Sequence, residues 1–199
     1  MSKKIESTTG VMLAGGKSIR MGRDKAFLQV GEGTLAENCL SILRACFACN
    51  IIIANRPAAF EVFQLPVIPD DLSDRGPLGG IYTALRHVNT PRIFVVACDM
   101  PFLDANLIRH MASALDDFDA VAAKIDGRFE PLHAGYQRRI ISTVESRIQM
   151  ADYSVHRLLE KLRVKTFSAS DLDCYPAWRK TFLNVNTPLD LERARNMGN

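Results

Sequence analysis

Short apolar runs of strand character, separated by stretches with helical spacing, constrain this chain more than any other feature. Strand-like runs lie at residues 10–14, 51–54, 66–68, 93–97, 120–123 and 164–167. Between them, Thr34 is placed to cap a helix whose apolar positions Leu35, Cys39, Ile42, Leu43 and Cys46 recur at three and four residues. Residues 80–88 follow the same spacing, and Asp104 is placed to cap a third helix carrying Leu107, Ile108, Met111 and Leu115. Strands that are apolar throughout need cover on both faces, and intervening helices supply it. The pattern predicts an α/β fold with a mostly parallel central sheet and helices on both faces. One domain is expected over residues 1–199, with residues 1–7 as a flexible N-terminus. A chain of 199 residues with 47% hydrophobic and 24% charged side chains has the composition of an ordinary globular domain, which excludes disorder and a coiled coil. Neither an internal repeat nor a low-complexity segment is present.

Charge and cysteine usage narrow the partners. A formal net charge of +3 is too small to announce nucleic acid. The excess is local: residues 1–30 hold Lys3, Lys4, Lys17, Arg20, Arg23 and Lys25 against Glu6 and Asp24, and the remaining chain has no positive excess. Such a segment is either a solvated terminus plus a basic loop or a site for a polyanion. No apolar run approaches the roughly eighteen residues of a membrane span, and Met1 to Glu6 lack the apolar stretch of a signal peptide. A cytoplasmic protein is expected. The odd set Cys39, Cys46, Cys49, Cys98 and Cys174 suits reduced, packed thiols better than a disulfide framework. The C-x-x-C spacing of Cys46 and Cys49 lacks the second pair of a zinc ribbon. His87, His110, His133 and His156 offer no ligand pair at helical spacing.

In an open parallel sheet, ligands bind beyond the carboxyl ends of the strands. The first strand runs into a loop with Gly15, Gly16 and Gly22 interleaved with Lys17, Arg20, Arg23 and Lys25. Glycines let backbone N–H groups approach an anion, and Lys and Arg supply charge and donors for phosphate oxygens. A nucleoside triphosphate is the natural guest. The P-loop pattern fails because Val11 stands where its first glycine is required, and the dinucleotide fingerprint fails because Lys17 or Ser18 replaces its second glycine. A flexible glycine turn remains an alternative for this loop taken alone. Asp99 lies just past the 93–97 strand, where a carboxylate either holds Mg²⁺ against a phosphate or caps the turn before Pro101. Asn184 and Asn186 fall on one side of a short extended segment, ahead of a helix that Thr187 and Pro188 are suited to start. Paired amides there either serve the cap or orient a phosphate, a metal or a heterocycle.

Leu13-Ala14-Gly15-Gly16-x-Ser18-x-Arg20-Met21-Gly22-x-Asp24-Lys25, Gly76-Pro77-Leu78-x-Gly80-Ile81, Cys98-Asp99-Met100-Pro101 and Asn184-x-Asn186-Thr187-Pro188 together resemble the signatures of the molybdenum cofactor guanylyltransferase family. The match spans nearly the whole chain in the right order. The resemblance implies a Rossmann-like nucleotidyltransferase fold that takes GTP and molybdenum-loaded molybdopterin, uses Mg²⁺, forms the guanine dinucleotide cofactor and releases pyrophosphate. Leu13, Ala14, Gly15 and Gly16 would line the nucleotide pocket, with Lys25 on the phosphates, and Asn55 and Asp70 would complete the guanosine pocket. Asp99 would bind Mg²⁺, and Arg20 and Lys25 would share the catalytic work with it. Asn184 and Asn186 are candidates for the second substrate, a phosphate or the metal. Proteins that deliver molybdopterin or accept the product are further expected partners. Lys17 and Arg23 contribute local potential, Asp71 and Asp74 are alternatives to Asp70, and Glu130 is an awkward acid beside a phosphorylated pterin. Two competing functions share these features: a CTP-using cytidylyltransferase of the same superfamily, and a non-catalytic guanine-nucleotide-binding regulator.

Overall fold

The computed structural model describes residues 3–15, 25–72 and 75–198. In chain order the strands among them are β1 (Ile5–Leu13), β2 (Gln29–Val30), β3 (Gly33–Thr34), β4 (Phe47–Ile53), β5 (Val67–Ile68), β6 (Arg92–Ala97), β7 (Ala120–Ile125), β8 (Arg128–Gln137) and β9 (Val164–Phe167). The helices are α1 (Leu35–Cys46), α2 (Pro77–His87), α3 (Ala105–Ser113), α4 (Ile141–Gln149), α5 (Val155–Leu159), α6 (Ala169–Leu172), α7 (Trp178–Thr181) and α8 (Pro188–Gly198). Seven strands form one sheet in the order β5-β4-β1-β6-β8-β7-β9, and β2 and β3 pair as a separate hairpin. All neighbours in the large sheet are parallel except β8, which runs against both β6 and β7. The mostly parallel α/β architecture expected from the alternating pattern is therefore present.

Alternate residues of the central strands feed two cores. Met12, Ile52, Phe94 and Val96 pack with Cys39, Leu40 and Leu43 of α1 and Leu107, Ile108 and Met111 of α3. Val11, Leu13, Ile51, Ile53, Ile93 and Val95 pack on the opposite face with Leu78, Ile81 and Leu85 of α2, Val144 of α4 and Val155 and Leu158 of α5. Helical cover on both faces is the reason these strands read as unbroken apolar runs. A third cluster of Val30, Leu35, Val185, Leu191 and Ala194 fastens α8 to the hairpin.

The first and third predicted helix starts hold. Thr34 and Glu37 form a reciprocal capping box on α1, with Glu37 N 3.2 Å from Thr34 Oγ1 and Thr34 N 2.7 Å from Glu37 Oε2. Asp104 accepts from Asn106 N and Leu107 N at the start of α3. Two differences from the sequence expectation stand out. β1 begins at Ile5, so residues 5–7, read as part of a flexible N-terminus, are strand, with Ile5 opposite Phe47. β8 was not expected, because Arg128, Glu130, His133 and Gln137 interrupt any apolar run; the signal that marks it is Asp126-Gly127, both at positive φ, which forms a two-residue hairpin turn from β7.

Strand register aligns the carboxyl ends that matter. Leu13 is opposite Ile53 on one side and Ala97 on the other. Backbone bonds continue past the strand ends, from Ala14 N to Ile53 O (2.9 Å), Cys98 N to Leu13 O (3.0 Å) and Ala54 N to Ile68 O (3.1 Å). The residues that follow β1, β4, β5 and β6 are thereby held along one edge.

Candidate active site

Lys25, Asp99 and Asn186 meet at that edge from three distant parts of the chain. Lys25 Nζ donates to Asp99 Oδ2 at 2.7 Å and to Asn186 Oδ1 at 2.9 Å. Lys25 opens a short 3-10 helix whose next residue, Ala26, is buried in the α1/α3 core, and whose Phe27 ring lies 5.3 Å from Phe60 and 6.0 Å from Phe63. Asp99 lies two residues past the end of β6, and its carbonyl accepts from Val185 N at 2.9 Å, which docks the 182–187 segment against the strand end. Asn186 is fixed from its other side: Asp190 Oδ2 accepts from Asn186 N (3.1 Å) and Thr187 N (2.8 Å), and Thr187 Oγ1 accepts from Asp190 N (3.1 Å). Hydrogen bonding of the Asp190 carboxylate, first with the Thr187 side chain and then with the Asn186 and Thr187 backbone, lowers its pKa.

The side chains of Lys25 and Asp99 are 13% and 18% exposed, so water screens their attraction only in part. The two oxygens of Asp99 are unequal. Oδ2 takes the ammonium, whereas Oδ1 is buried and, among the described residues, accepts no hydrogen bond. A buried oxygen left in this state is costly unless a ligand satisfies it. Among the described residues, neither Asp99 carboxylate oxygen makes a bond that caps the turn before Pro101. Asn184 does not share the cluster: its Nδ2 reaches back 3.4 Å to Phe182 O, so the two amides of the motif part company.

On the β4 and β5 side, Asn55 is exposed just beyond Ala54, and Asp70 follows β5. Asp70 Oδ1 accepts from Leu72 N and Thr83 Oγ1, both at 3.0 Å, and Asp71 N donates to the same hydroxyl at 2.9 Å. The Asp71 carboxylate turns away to Arg86 (2.9 Å) and His87 (3.3 Å) on α2, which separates its role from that of Asp70. The loop is pressed onto α2. Gly76 enters the helix at φ +65, and a Cβ on Gly79 would fall 2.8 Å from Leu72 O and 3.2 Å from both Asp70 carboxylate oxygens. Neither Thr83 nor Gly79 was singled out in the sequence, although Gly79 falls in the variable position of the Gly76-Pro77-Leu78-x-Gly80 motif. Leu13, Ala14 and Gly15 end β1 at the same edge, with Ala14 half-buried and Gly15 exposed. Gly16 and Arg20 lie outside the described residues, as do Lys17, Arg23 and Asp74.

Two further ionisable groups flank the edge on β8. Glu130 is half-buried, and burial raises its pKa. His133 is fully buried between the ring of Phe94 (5.4 Å) and that of Phe182 (4.9 Å), with neither ring nitrogen hydrogen-bonded among the described residues. Desolvation holds its pKa down at about 4, against an ordinary 6.5. All five cysteines are free; Cys39 and Cys46 are buried, whereas Cys49 and Cys174 are exposed.

A mostly parallel sheet whose strand ends gather a cation, a half-satisfied carboxylate and a docked amide has the chemistry to take a phosphate. Residues 10–166 match the family model described as the MobA-like NTP transferase domain. The chain is 35% identical over 193 residues to the molybdenum cofactor guanylyltransferase of Syntrophotalea carbinolica, covering 96% of this chain and 91% of that one. The crystal structure of molybdopterin-guanine dinucleotide biosynthesis protein A from Archaeoglobus fulgidus superposes with a TM-score of 0.81 at 26% identity, over 95% of this chain and 97% of that chain. The fold also matches 2-C-methyl-D-erythritol 4-phosphate cytidylyltransferase from Thermus thermophilus, with a TM-score of 0.67 at 17% identity over 94% of this chain and 96% of that chain. Fold and matches define a nucleotidyltransferase. The chain belongs to the MobA-like NTP transferase family, in its molybdenum cofactor guanylyltransferase branch.

Proposed function

We propose that the chain transfers GMP from GTP to molybdenum-loaded molybdopterin, forming the guanine dinucleotide cofactor and releasing pyrophosphate in a Mg²⁺-dependent reaction. The observation that carries the reading is the Lys25–Asp99–Asn186 cluster at the carboxyl edge, with Asp99 Oδ1 left without a partner among the described residues. The name of the Syntrophotalea carbinolica relative supports the choice of guanylyl transfer.

The residues fit a divalent cation. No three His, Cys, Asp or Glu side chains converge among the described residues, but Mg²⁺ is commonly held by one or two carboxylates together with substrate phosphates and water. Asp99 would hold it through Oδ1, the hard oxygen that has no partner among the described residues. Bound there, Mg²⁺ would neutralise charge that builds on the phosphates and on the leaving pyrophosphate.

The rest of the chemistry is positioning. An oxygen of the acceptor phosphate forms a bond to the α-phosphorus of GTP, and the bond from that phosphorus to the β-phosphate bridging oxygen breaks, so pyrophosphate departs with its electron pair. A phosphate monoester is already ionised near neutral pH, so no side-chain nucleophile is needed. Lys25 has three N–H donors, of which Asp99 and Asn186 take two. Its third would donate to a phosphate oxygen. Leu13, Ala14, Gly15 and Gly16 are proposed to line the phosphate and base pocket, Asn55 and Asp70 to bind guanosine, and Arg20 to add charge to the phosphates. Asn186 serves as an orienting ligand of Lys25. Glu130 is assigned no phosphate contact.

The whole chain is proposed to work as one domain in the cytoplasm, with contacts to molybdopterin-handling proteins; among the described residues no helix is long and apolar enough to cross a membrane. The experiment is pyrophosphate release with Mg²⁺, molybdenum-loaded molybdopterin and each nucleotide in turn. Release with GTP is expected. Release with CTP alone would make the chain a cytidylyltransferase, and nucleotide binding without turnover would make it a regulator.

A further inference from the structure

The arginines of the described chain are held in several ways: Arg44, Arg109, Arg138, Arg163 and Arg195 donate to backbone carbonyls, and Arg179 lies over the Trp178 ring. Arg86, Arg92, Arg139, Arg147 and Arg157 each pair with an aspartate. Arg75, in the loop from β5 to α2, has no carboxylate partner among the described residues and lies over the ring of Tyr153, its guanidinium carbon 4.7 Å from the ring centroid. The two residues come from loops far apart in the chain, and both loops sit at the carboxyl edge. Arg75 follows Asp70 and precedes Gly76, at the amino end of α2. Tyr153 lies between α4, which runs from the amino edge where β8 ends, and α5, which runs back towards the start of β9.

The Tyr153 loop is heavily braced. The Asp152 carboxylate takes Arg147 and Arg157, the latter with Nε 3.0 Å from Oδ1 and 3.1 Å from Oδ2. Asp152 N donates to Arg147 O at 2.9 Å, Ser154 N donates to Asp152 Oδ1 at 3.2 Å, and Ser154 Oγ caps α5 by accepting from Arg157 N. The result is a fixed aromatic platform beneath an exposed guanidinium. A carboxylate would cancel the charge of Arg75, whereas an aromatic face holds a cation without neutralising it. A cation held by a ring face keeps N–H groups of its guanidinium free to act as a forked donor, the geometry that suits a phosphate.

Arg75 and Lys25 approach the edge from opposite faces of the sheet. Lys25 is anchored on the α1/α3 side through Ala26, and Arg75 stands over the α2/α4/α5 side, where Tyr153 packs. Guanylyl transfer has to bring two phosphate groups together, one on the nucleotide and one on the acceptor. We infer that Arg75 binds the phosphate monoester of the acceptor, with Tyr153 as its positioning residue. The inference rests on the guanylyl-transfer reading.

The test is steady-state pyrophosphate release by the full chain, with the KM for molybdopterin and the KM for GTP measured separately. Arg75→Gln is expected to raise the acceptor KM about 10- to 100-fold, as befits loss of a charge-assisted contact, and to leave the GTP KM unchanged. Arg75→Lys recovers only part of the loss, since it keeps the charge without the fork. Tyr153→Phe behaves as wild type because it keeps the ring face, and Tyr153→Leu raises the acceptor KM. A rise in the GTP KM alone would place Arg75 on the triphosphate instead and overturn the inference, as would two unchanged KM values. Equal damage from Tyr153→Phe and Tyr153→Leu would overturn the platform role. Turnover by wild type with CTP in place of GTP corrects only the base, and the same split is then read with CTP. Without any turnover, equilibrium binding of molybdopterin to wild type and Arg75→Gln decides the matter: equal affinities overturn it.

Discussion

Asp99 meets different demands with its two carboxylate oxygens, one on Lys25 and one buried without a partner among the described residues. Asp99→Ala removes both functions and is expected to keep the fold while turnover falls by orders of magnitude, since a metal ligand supplies several kcal/mol of transition-state charge stabilisation. Circular dichroism and pyrophosphate release check the two halves of that statement; near-normal turnover at saturating Mg²⁺ contradicts it. Lys25→Ala is expected to weaken GTP binding or turnover, because it takes a point charge from the phosphates and leaves Asp99 Oδ2 without its cation. Unchanged nucleotide affinity and rate would remove Lys25 from the phosphate site. His133 makes a prediction about stability. Its folded pKa of about 4 lies below the 6.5 of an exposed histidine, so in that window the unfolded chain binds the proton and the folded chain does not. Stability attributable to His133 is full above pH 6.5 and is lost as pH falls towards 4, by about 2 kcal/mol between pH 7 and pH 5. Urea titrations across that range should show the slope in wild type and a flatter one in His133→Leu.

At the scale of elements, the β5–α2 junction shows how packing sets a site. Gly79 lets the loop carrying Asp70 lie directly on α2. In Gly79→Ala the new methyl meets a backbone carbonyl, which yields less readily than a flexible side chain, so the loop and Asp70 must shift. The expected outcome is a folded protein with weakened GTP affinity, read by isothermal titration; an unchanged affinity would detach Asp70 from the nucleotide. The elements that were legible in the sequence are those with a local signal. β1, β4 and β6 declare themselves as apolar runs, and α1 and α3 through the caps Thr34 and Asp104. β8 does not, because its polar residues at 128, 130, 133 and 137 mask its strand character and its pairing is long-range. Asn184 and Asn186 looked equivalent by spacing. What separates them is the docking of Val185 on Asp99 and the clasp from Asp190, which turn Asn186 alone towards Lys25.

Across the whole molecule, strand order gathers what the linear chain scatters. Residues near 14, 55, 70 and 99 fall on one edge because β5, β4, β1 and β6 are neighbours and parallel. This convergence was legible from the rule that open parallel sheets bind ligands at their carboxyl ends. The Arg75–Tyr153 platform was not, since no local spacing announces a contact between two loops closed by a separate helix pair. The small positive excess of the chain is likewise organised, with Lys25 brought to the carboxyl edge beside Asp99 and Asn186. The most direct test of the account is a crystal structure with GTP and Mg²⁺ bound. Mg²⁺ is expected on Asp99 Oδ1, the Lys25 ammonium on a phosphate oxygen, and the guanine base beside Asn55 and Asp70. A nucleotide bound away from this edge, or phosphates there with Asp99 making no metal contact, would contradict it.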